Sequence, residues 1–405
     1  MVGLKLILDW SHMADRIARR IGVFDYGFRI FFLLAPLYGA LAVALWIPAF
    51  LGWVAPPLTV TPALLHAHEM IFGFAGAALA GFFLTAVPNW TGALPLRGVG
   101  LIALAAVWLL GRVGMIAIAT IPAWLAASAD LLFMPALALA VFRPLLHARK
   151  PHNLMLLVPL ALFWAADWTM QLEFIGRTTS TAARGARVGI DVLLLLITVI
   201  GGRIVPAFTG NALRAAGVVA TLKTSRLLDG LAVGAMALLL GVEAATGLSA
   251  ATGATALLAA VLNGARLVQW RGERTLASPI LWVLHLGYLW LVVGLALKGA
   301  AAFALAPETV AIHALALGAI GTMIFAVMSR AGLGHTGRPL RAHPATALAY
   351  VLVSIAAALR VAAGIDTAAF VPLLWISGVA WITAALIFLV VYVPILFWPT
   401  GQIDR

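Results

Sequence analysis

Cysteine is absent from all 405 residues, which excludes disulfides, thiolate nucleophiles, iron–sulfur clusters and covalently attached c-type haem. Any metal must therefore take its ligands from His, Met, Tyr or carboxylates. Charge is scarce as well: 10% of residues are Asp, Glu, Lys or Arg, against about 25% in a soluble domain. No soluble fold could hide the 64% of residues that are apolar. Apolar stretches of roughly 20 residues, enough to cross a ~30 Å hydrocarbon core, recur along the chain, so lipid is the solvent. A formal charge of +12 would suggest nucleic acid in a soluble protein. Here the Lys and Arg residues sit in short loops between apolar runs, where they set topology, and no nucleic-acid partner is implied.

Residues 1–28 do not read as a signal peptide, because Lys5, Asp9, Asp15, Arg16, Arg19 and Arg20 interrupt any apolar core. Leu6, Trp10, Met13, Ile17 and Ile21 recur every three or four residues, the pattern of an amphipathic helix at the cytoplasmic membrane interface. A solvated helical leader fits the same pattern. Residues 29–405 read as one all-α integral membrane domain of about twelve spans, near 29–53, 64–88, 97–119, 122–146, 152–173, 187–208, 226–246, 252–270, 277–300, 308–330, 344–364 and 369–397. With the amino terminus inside, twenty Lys and Arg residues fall on the inner side and five on the outer, so both termini are expected in the cytoplasm. Three of the outer five, Arg177, Arg184 and Arg187, share one loop, which suits an anionic partner or acidic lipid.

Self-similarity organises the spans. The second ends Val87-Pro88-Asn89-Trp90-Thr91-Gly92, the sixth Val205-Pro206-Ala207-Phe208-Thr209-Gly210, and the tenth Gly334-His335-Thr336-Gly337, which reads as one inner-end cap used three times. These Thr-Gly pairs lie 118 and 127 residues apart, four spans in each case, implying three pseudo-repeats of four helices over about 29–148, 149–272 and 273–405. Counting back 23 residues from the threonine reaches His68 in the second span and His313 in the tenth. Glycines follow each histidine by five and eight residues, Gly73 and Gly76 in one span, Gly318 and Gly321 in the other. Ala186 takes the equivalent place in the sixth, so a metal site on these histidines is asymmetric. The glycines admit a neighbouring helix or a flat cofactor close to the backbone.

Four of the nine histidines, His66, His68, His285 and His313, lie within or at the edge of spans. An ionisable group there is costly, and function is the default reading. Each could ligate a metal or remain neutral, bonded to a backbone carbonyl. On a regular helix His66 and His68 point about 200° apart and cannot share one ion. Met70, four residues past His66, makes with it a soft pair suited to copper. An apolar slot with one or two neutral imidazoles suits haem, and Arg177, Arg184 and Arg187 could then face its propionates. Arg112 and Asp130 each lie nine residues from residue 121 in the turn between their spans, which predicts a buried pair locking that hairpin. Glu69, Asp167 and Asp191 are the candidate catalytic carboxylates, as proton carriers.

The long run His66-Ala67-His68-Glu69-Met70-Ile71-Phe72-Gly73-Phe74, continuing through Gly81-Phe82-Phe83-Leu84-Thr85-Ala86-Val87-Pro88-Asn89-Trp90-Thr91-Gly92, resembles the NnrS proteins. So do Gly202-Arg203-Ile204-Val205-Pro206-Ala207-Phe208-Thr209-Gly210-Asn211 and the block from His313 through Met328-Ser329-Arg330 to Gly334-His335-Thr336-Gly337-Arg338. The resemblance spans essentially the whole chain. It implies a bacterial inner-membrane protein that holds haem and copper and acts in the response to nitric oxide, in denitrification or nitrosative stress. The arrangement also looks like the catalytic subunit of haem–copper oxidases and nitric oxide reductases, whose second and tenth helices hold a low-spin haem. Their histidines on the sixth and seventh helices are missing here, so their copper or non-haem iron centre does not transfer.

On this reading the expected cofactors are one or two haem b groups and copper. The expected metal ligands are His68, His313, His66, His285 and Met70. The expected partners are membrane lipid, nitric oxide and an electron donor such as quinol or a periplasmic cytochrome. The reaction would be an oxidoreductase step of the nitric oxide reductase kind. A nitric oxide sensor, a metal or haem delivery protein and a transporter are the alternatives.

Overall fold

The computed structural model describes residues 22–54, 60–147, 151–218, 222 and 225–398. The apolar pattern of the leader, residues 6–21, lies outside the described residues. Twelve helices are long and apolar enough to cross a membrane: α1 Gly27–Phe50, α2 Pro62–Thr91, α3 Val99–Ile116, α4 Ala123–His147, α5 Leu154–Phe174, α6 Ala182–Ala215, α7 Arg226–Thr246, α8 Ala250–Gln269, α9 Pro279–Ala302, α10 Glu308–His335, α11 Pro344–Ile365 and α12 Phe370–Phe397. Each overlaps one expected span, and the largest differences are at α6 and α10, which run past their expected inner ends.

The caps explain those ends. α2 stops where Gly92, at φ +73°, turns left-handed and donates its N–H to Pro88 O at 2.8 Å. Gly337, also at φ +73°, follows α10. Thr91 and Thr336 turn their hydroxyls back onto the carbonyls of Val87 and Gly332 at 2.8 and 2.7 Å. The sixth span corrects the expectation of a threefold cap: α6 runs through Thr209-Gly210 to Ala215, and Gly217 at φ +74° supplies the left-handed turn instead. Asn211-Ala212-Leu213-Arg214 carries no breaker, so the helix continues until a residue without a β-carbon allows the reversal. These same three helices each contain a π-helical turn, Glu69–Ala75 in α2, Ile197–Gly201 in α6 and Ala314–Gly321 in α10. Such wide turns are rare and occur frequently at functional positions.

The chain packs as two compact units: residues up to Ala182 with Ala331–Pro339 and Phe388 onward, and Ala183–Arg330 with Leu340–Ile387. In the first, α2 is the enclosed helix, 78% of its apolar window being buried against 33–50% for α1, α3, α4 and α5. Gly111 brings α3 so close to α4 that a β-carbon there would lie 2.9 Å from Asp130 Cα. Arg29 of α1 donates to the carbonyls of Leu396 and Trp398 at 3.1 and 2.7 Å, fastening the last turn of α12 to this unit. In the second unit α9 meets α10 through Gly287 and Gly294, where β-carbons would lie 2.7 Å from Met323 and 2.5 Å from Leu315 side chains. Leu37, Leu41 and Leu45 recur every four residues along the exposed face of α1, as a lipid-facing stripe requires.

Candidate metal centre

His68 closes the first α-helical stretch of α2 and the π-helical turn begins at Glu69, so two adjacent polar residues both face the interior. His68 is 0% exposed and Glu69 6%. The imidazole Nδ1 lies 2.7 Å from Glu69 Oε1. Its Nε2 lies 3.0 Å from Asp130 Oδ2 of α4, 2.9 Å from Asp167 Oδ1 of α5 and 3.0 Å from Gln171 Nε2. Arg112 of α3 donates to Glu69 Oε2 at 2.8 Å and also to Asp130, the pairing that the mirrored spacing about residue 121 predicts. Tyr38 of α1 donates its hydroxyl to Glu69. Gln171 donates to Asp130 Oδ2 at 2.7 Å.

Close packing makes this assembly possible. A β-carbon on Gly73 would stand 2.7 Å from the Tyr38 ring and 2.9 Å from Arg112 Nη1, so only glycine lets both groups reach Glu69. Trp108 donates its indole N–H to Gly73 O at 3.2 Å, and Phe72 and Phe174 wall the imidazole at ring distances of 5.3 and 5.6 Å. Three carboxylates thus crowd around the His68 imidazole, and the Arg112 guanidinium pairs with two of them, Glu69 and Asp130. One ligand atom each from His68, Asp130 and Asp167 lie within 4.8 Å of one another, the one such metal-competent group among the described residues. Gln171 Oε1, buried beside them, has no hydrogen-bond partner.

The other expected site residues are elsewhere. His66 points away from His68 and stacks on Trp46 at 4.1 Å, and Met70 is half-buried within the π-helical turn. His285 is buried against Trp270 and pairs through Nε2 with the Thr209 hydroxyl at 2.9 Å. Gly318 faces the Trp290 indole, 2.6 Å from a would-be β-carbon, so a side chain of α9 fills that approach. Arg177 and Arg184 are exposed. Arg187 is engaged by Glu308 at 3.0 Å and Glu243 at 3.4 Å, and Asp191 receives Lys298 Nζ at 2.6 Å.

His313 has a different setting. Its Nδ1 donates to Thr309 O at 2.6 Å, which turns Nε2 away from its own helix. A β-carbon on Gly364 of α11 would lie 2.8 Å from Val310, so one turn inward on both helices Arg360 comes beside His313. Arg360 is 8% exposed, lies 5.5 Å from the Phe370 ring, and its Nε and Nη1 have no hydrogen-bond partner.

The family model described as NnrS protein matches residues 22–399. The chain belongs to the NnrS family. No curated protein matches it. Membership of the NnrS family makes it a multi-pass membrane protein associated with the nitric oxide response. In this NnrS chain the residues around His68 suit a divalent ion: an imidazole and two carboxylates are donors for a first-row metal, and carboxylate oxygens fill the space a porphyrin would need at Nε2. His313 differs in that its Nδ1 is held by a carbonyl, as in metal-ligating histidines, with the Arg360 guanidinium alongside. Sequence reasoning missed Gln171, Tyr38, Glu243, Lys298 and the role of Arg360. Gln171 was within reach of it, standing one helical turn from Asp167 on the same face of α5.

Proposed function

We propose that this protein takes nitric oxide from the bilayer and reduces it, using a divalent metal held by His68, Asp130 and Asp167. The observation that carries the reading is the convergence of three ligand atoms, from His68, Asp130 and Asp167, in a buried cluster where three carboxylates crowd around one imidazole and one guanidinium. A divalent cation would let those carboxylates stay ionised in a low-dielectric interior. Nitric oxide is small, uncharged and lipid-soluble, so it needs only an apolar path, and Phe72 and Phe174 make the walls beside His68 apolar.

The balanced reaction joins two nitric oxide molecules, two electrons and two protons to give nitrous oxide and water. Electrons come from a donor of the quinol or reduced-cytochrome class. Glu69 holds His68 Nδ1–H, fixing the tautomer that leaves Nε2 as a ligand, the usual carboxylate–histidine–metal arrangement. Arg112 and Tyr38 hold Glu69 in turn. Gln171 and Asp167 line the same face, and Glu69 with Tyr38 forms a hydrogen-bonded pair able to hand on a proton. A metal held by His68, Asp130 and Asp167 would supply Lewis acidity toward nitric oxide. His313 and Arg360 would hold a haem b, the imidazole as ligand and the guanidinium for a propionate, and the haem would supply one-electron transfer. Copper is the metal favoured at a mixed nitrogen and oxygen site by the general affinity order.

Metal analysis and an optical spectrum of the purified protein test this. D130N/D167N should lose the divalent metal and keep the haem absorption. H313A should do the reverse, and both should stop reductant-driven loss of nitric oxide. Unchanged metal content in D130N/D167N overturns the centre. Metal and haem in place without nitric oxide consumption would favour a sensor or delivery protein.

A further inference from the structure

The second unit contains a buried ionic cluster that the nitric oxide reading does not use. Asp191 of α6 and Glu243 of α7 are both 0% exposed, and Lys298 of α9 is 5% exposed. Lys298 Nζ stands 2.6 Å from Asp191 Oδ1 and also pairs with Glu243. From there the chain of groups runs outward: Arg187 Nε is 3.4 Å from Glu243 Oε1, and Arg187 Nη1 is 3.0 Å from Glu308 Oε1. Side-chain exposure rises along it, from 0% at Asp191 and Glu243 to 18% at Arg187 and 34% at Glu308. A narrow cleft lined by Arg187, Glu243, Lys298 and Glu308 follows the same path.

Charge counting decides what this cluster holds. Three carboxylates meet two cations. Arg187 and Glu308 neutralise each other near the surface, which leaves Asp191 and Glu243 to share Lys298 in the interior. Asp191 Oδ2 has no hydrogen-bond partner, and the Asp191 and Glu243 carboxyls both contact the one Lys298 ammonium and interact with each other. Two carboxylates that close, inside a membrane, do not both ionise against a single ammonium. Among the described residues no other charge corrects the balance: the buried residues of α8 at this end are Thr252, Gly253 and Ala256, and Arg360 of α11 lies beside His313.

We infer that Asp191 and Glu243 form a proton-binding site, exchanging with water at the Arg187–Glu308 end of the unit. Hydronium gives up one proton to the Glu243 carboxylate and becomes water, and the new carboxyl donates to Asp191 Oδ2. Release reverses the step, and no redox partner is needed. Lys298 stays charged throughout as the fixed counter-ion of Asp191. The site is independent of any metal or haem and of the reaction proposed above.

Infrared spectroscopy of the purified full-length protein, exchanged from light to heavy water, reads such a proton directly. The wild-type minus E243Q difference spectrum should contain the C=O stretch of one undissociated carboxyl, moving to lower frequency in heavy water. E243Q leaves Asp191–Lys298 and Arg187–Glu308 balanced, so its melting temperature should match the wild type. E308Q should keep the band and exchange it at an altered rate, because only the outer end of the path changes. Absence of a carboxyl band from the wild-type minus E243Q difference overturns the inference, as does a band whose exchange rate is the same in E308Q.

Discussion

Arg112 is the side chain on which the His68 cluster depends for charge. Its guanidinium pairs with Glu69 and Asp130 together, and it is 2% exposed. Removing one partner of a buried ionic network costs about 3–5 kcal/mol, because the remaining charge keeps its desolvation penalty and loses its compensation. R112M should therefore lower stability by about that amount in denaturant titrations of the purified protein, and E69Q/R112M/D130N, with the charges removed together, should cost less. A loss under about 1 kcal/mol in R112M would mean that another group balances the carboxylates. Asp167 stands differently in this network: its hydrogen bond is to His68, and Arg112 acts on it only at longer range. Its replacement by Asn should leave stability close to the wild type in metal-free protein and reduce metal affinity. Isothermal titration with a divalent metal salt separates the two effects.

Helix contacts in both units are set by glycines with a specific neighbour, and the neighbour decides what a methyl group does. At Gly111 the obstacle is backbone, Asp130 Cα at 2.9 Å, which cannot rotate away. G111A should force α3 from α4, weaken the Arg112–Asp130 contact and cost about 1–3 kcal/mol. Gly230 on α7 has nothing within 4 Å of a β-carbon. G230A should therefore be neutral or stabilising by up to about 1 kcal/mol, from helix propensity alone. Thermal melts of the two variants side by side check the contrast. The ion pairs follow helix order too: Glu69 of α2 meets Arg112 of α3, and Arg187 of α6 meets Glu243 of α7, with acid and base exchanged.

For the whole molecule the governing quantity is the distribution of Lys and Arg, twenty against five between the expected inner and outer sides, counting loops and the ends of spans. Reporter domains fused after Gly217 or Gly337 should report the cytoplasmic side, and fusions after Gly176 or Gly247 the opposite side. The reverse pattern would put the Glu308 end of the proton path in the cytoplasm and would exchange the phases that feed it.

Sequence alone determined the twelve spans, because each is a local property of roughly 20 consecutive apolar residues, and it determined the NnrS membership through contiguous motifs. It also determined the Arg112–Asp130 pair, since a hairpin makes residues equidistant from the turn neighbours. The cap after α6 was misread because a Thr-Gly pair ends a helix only when glycine turns left-handed, and the neighbouring turn at Gly217 took that role. Tertiary structure alone decided which polar groups share a site. His68 meets Asp167 across 99 residues and Lys298 meets Asp191 across 107, contacts fixed by the rotation and depth of separate helices. In a bilayer every helix is apolar on most faces, so the pattern that orients a soluble helix toward its core is too weak here to say which way a buried carboxylate points.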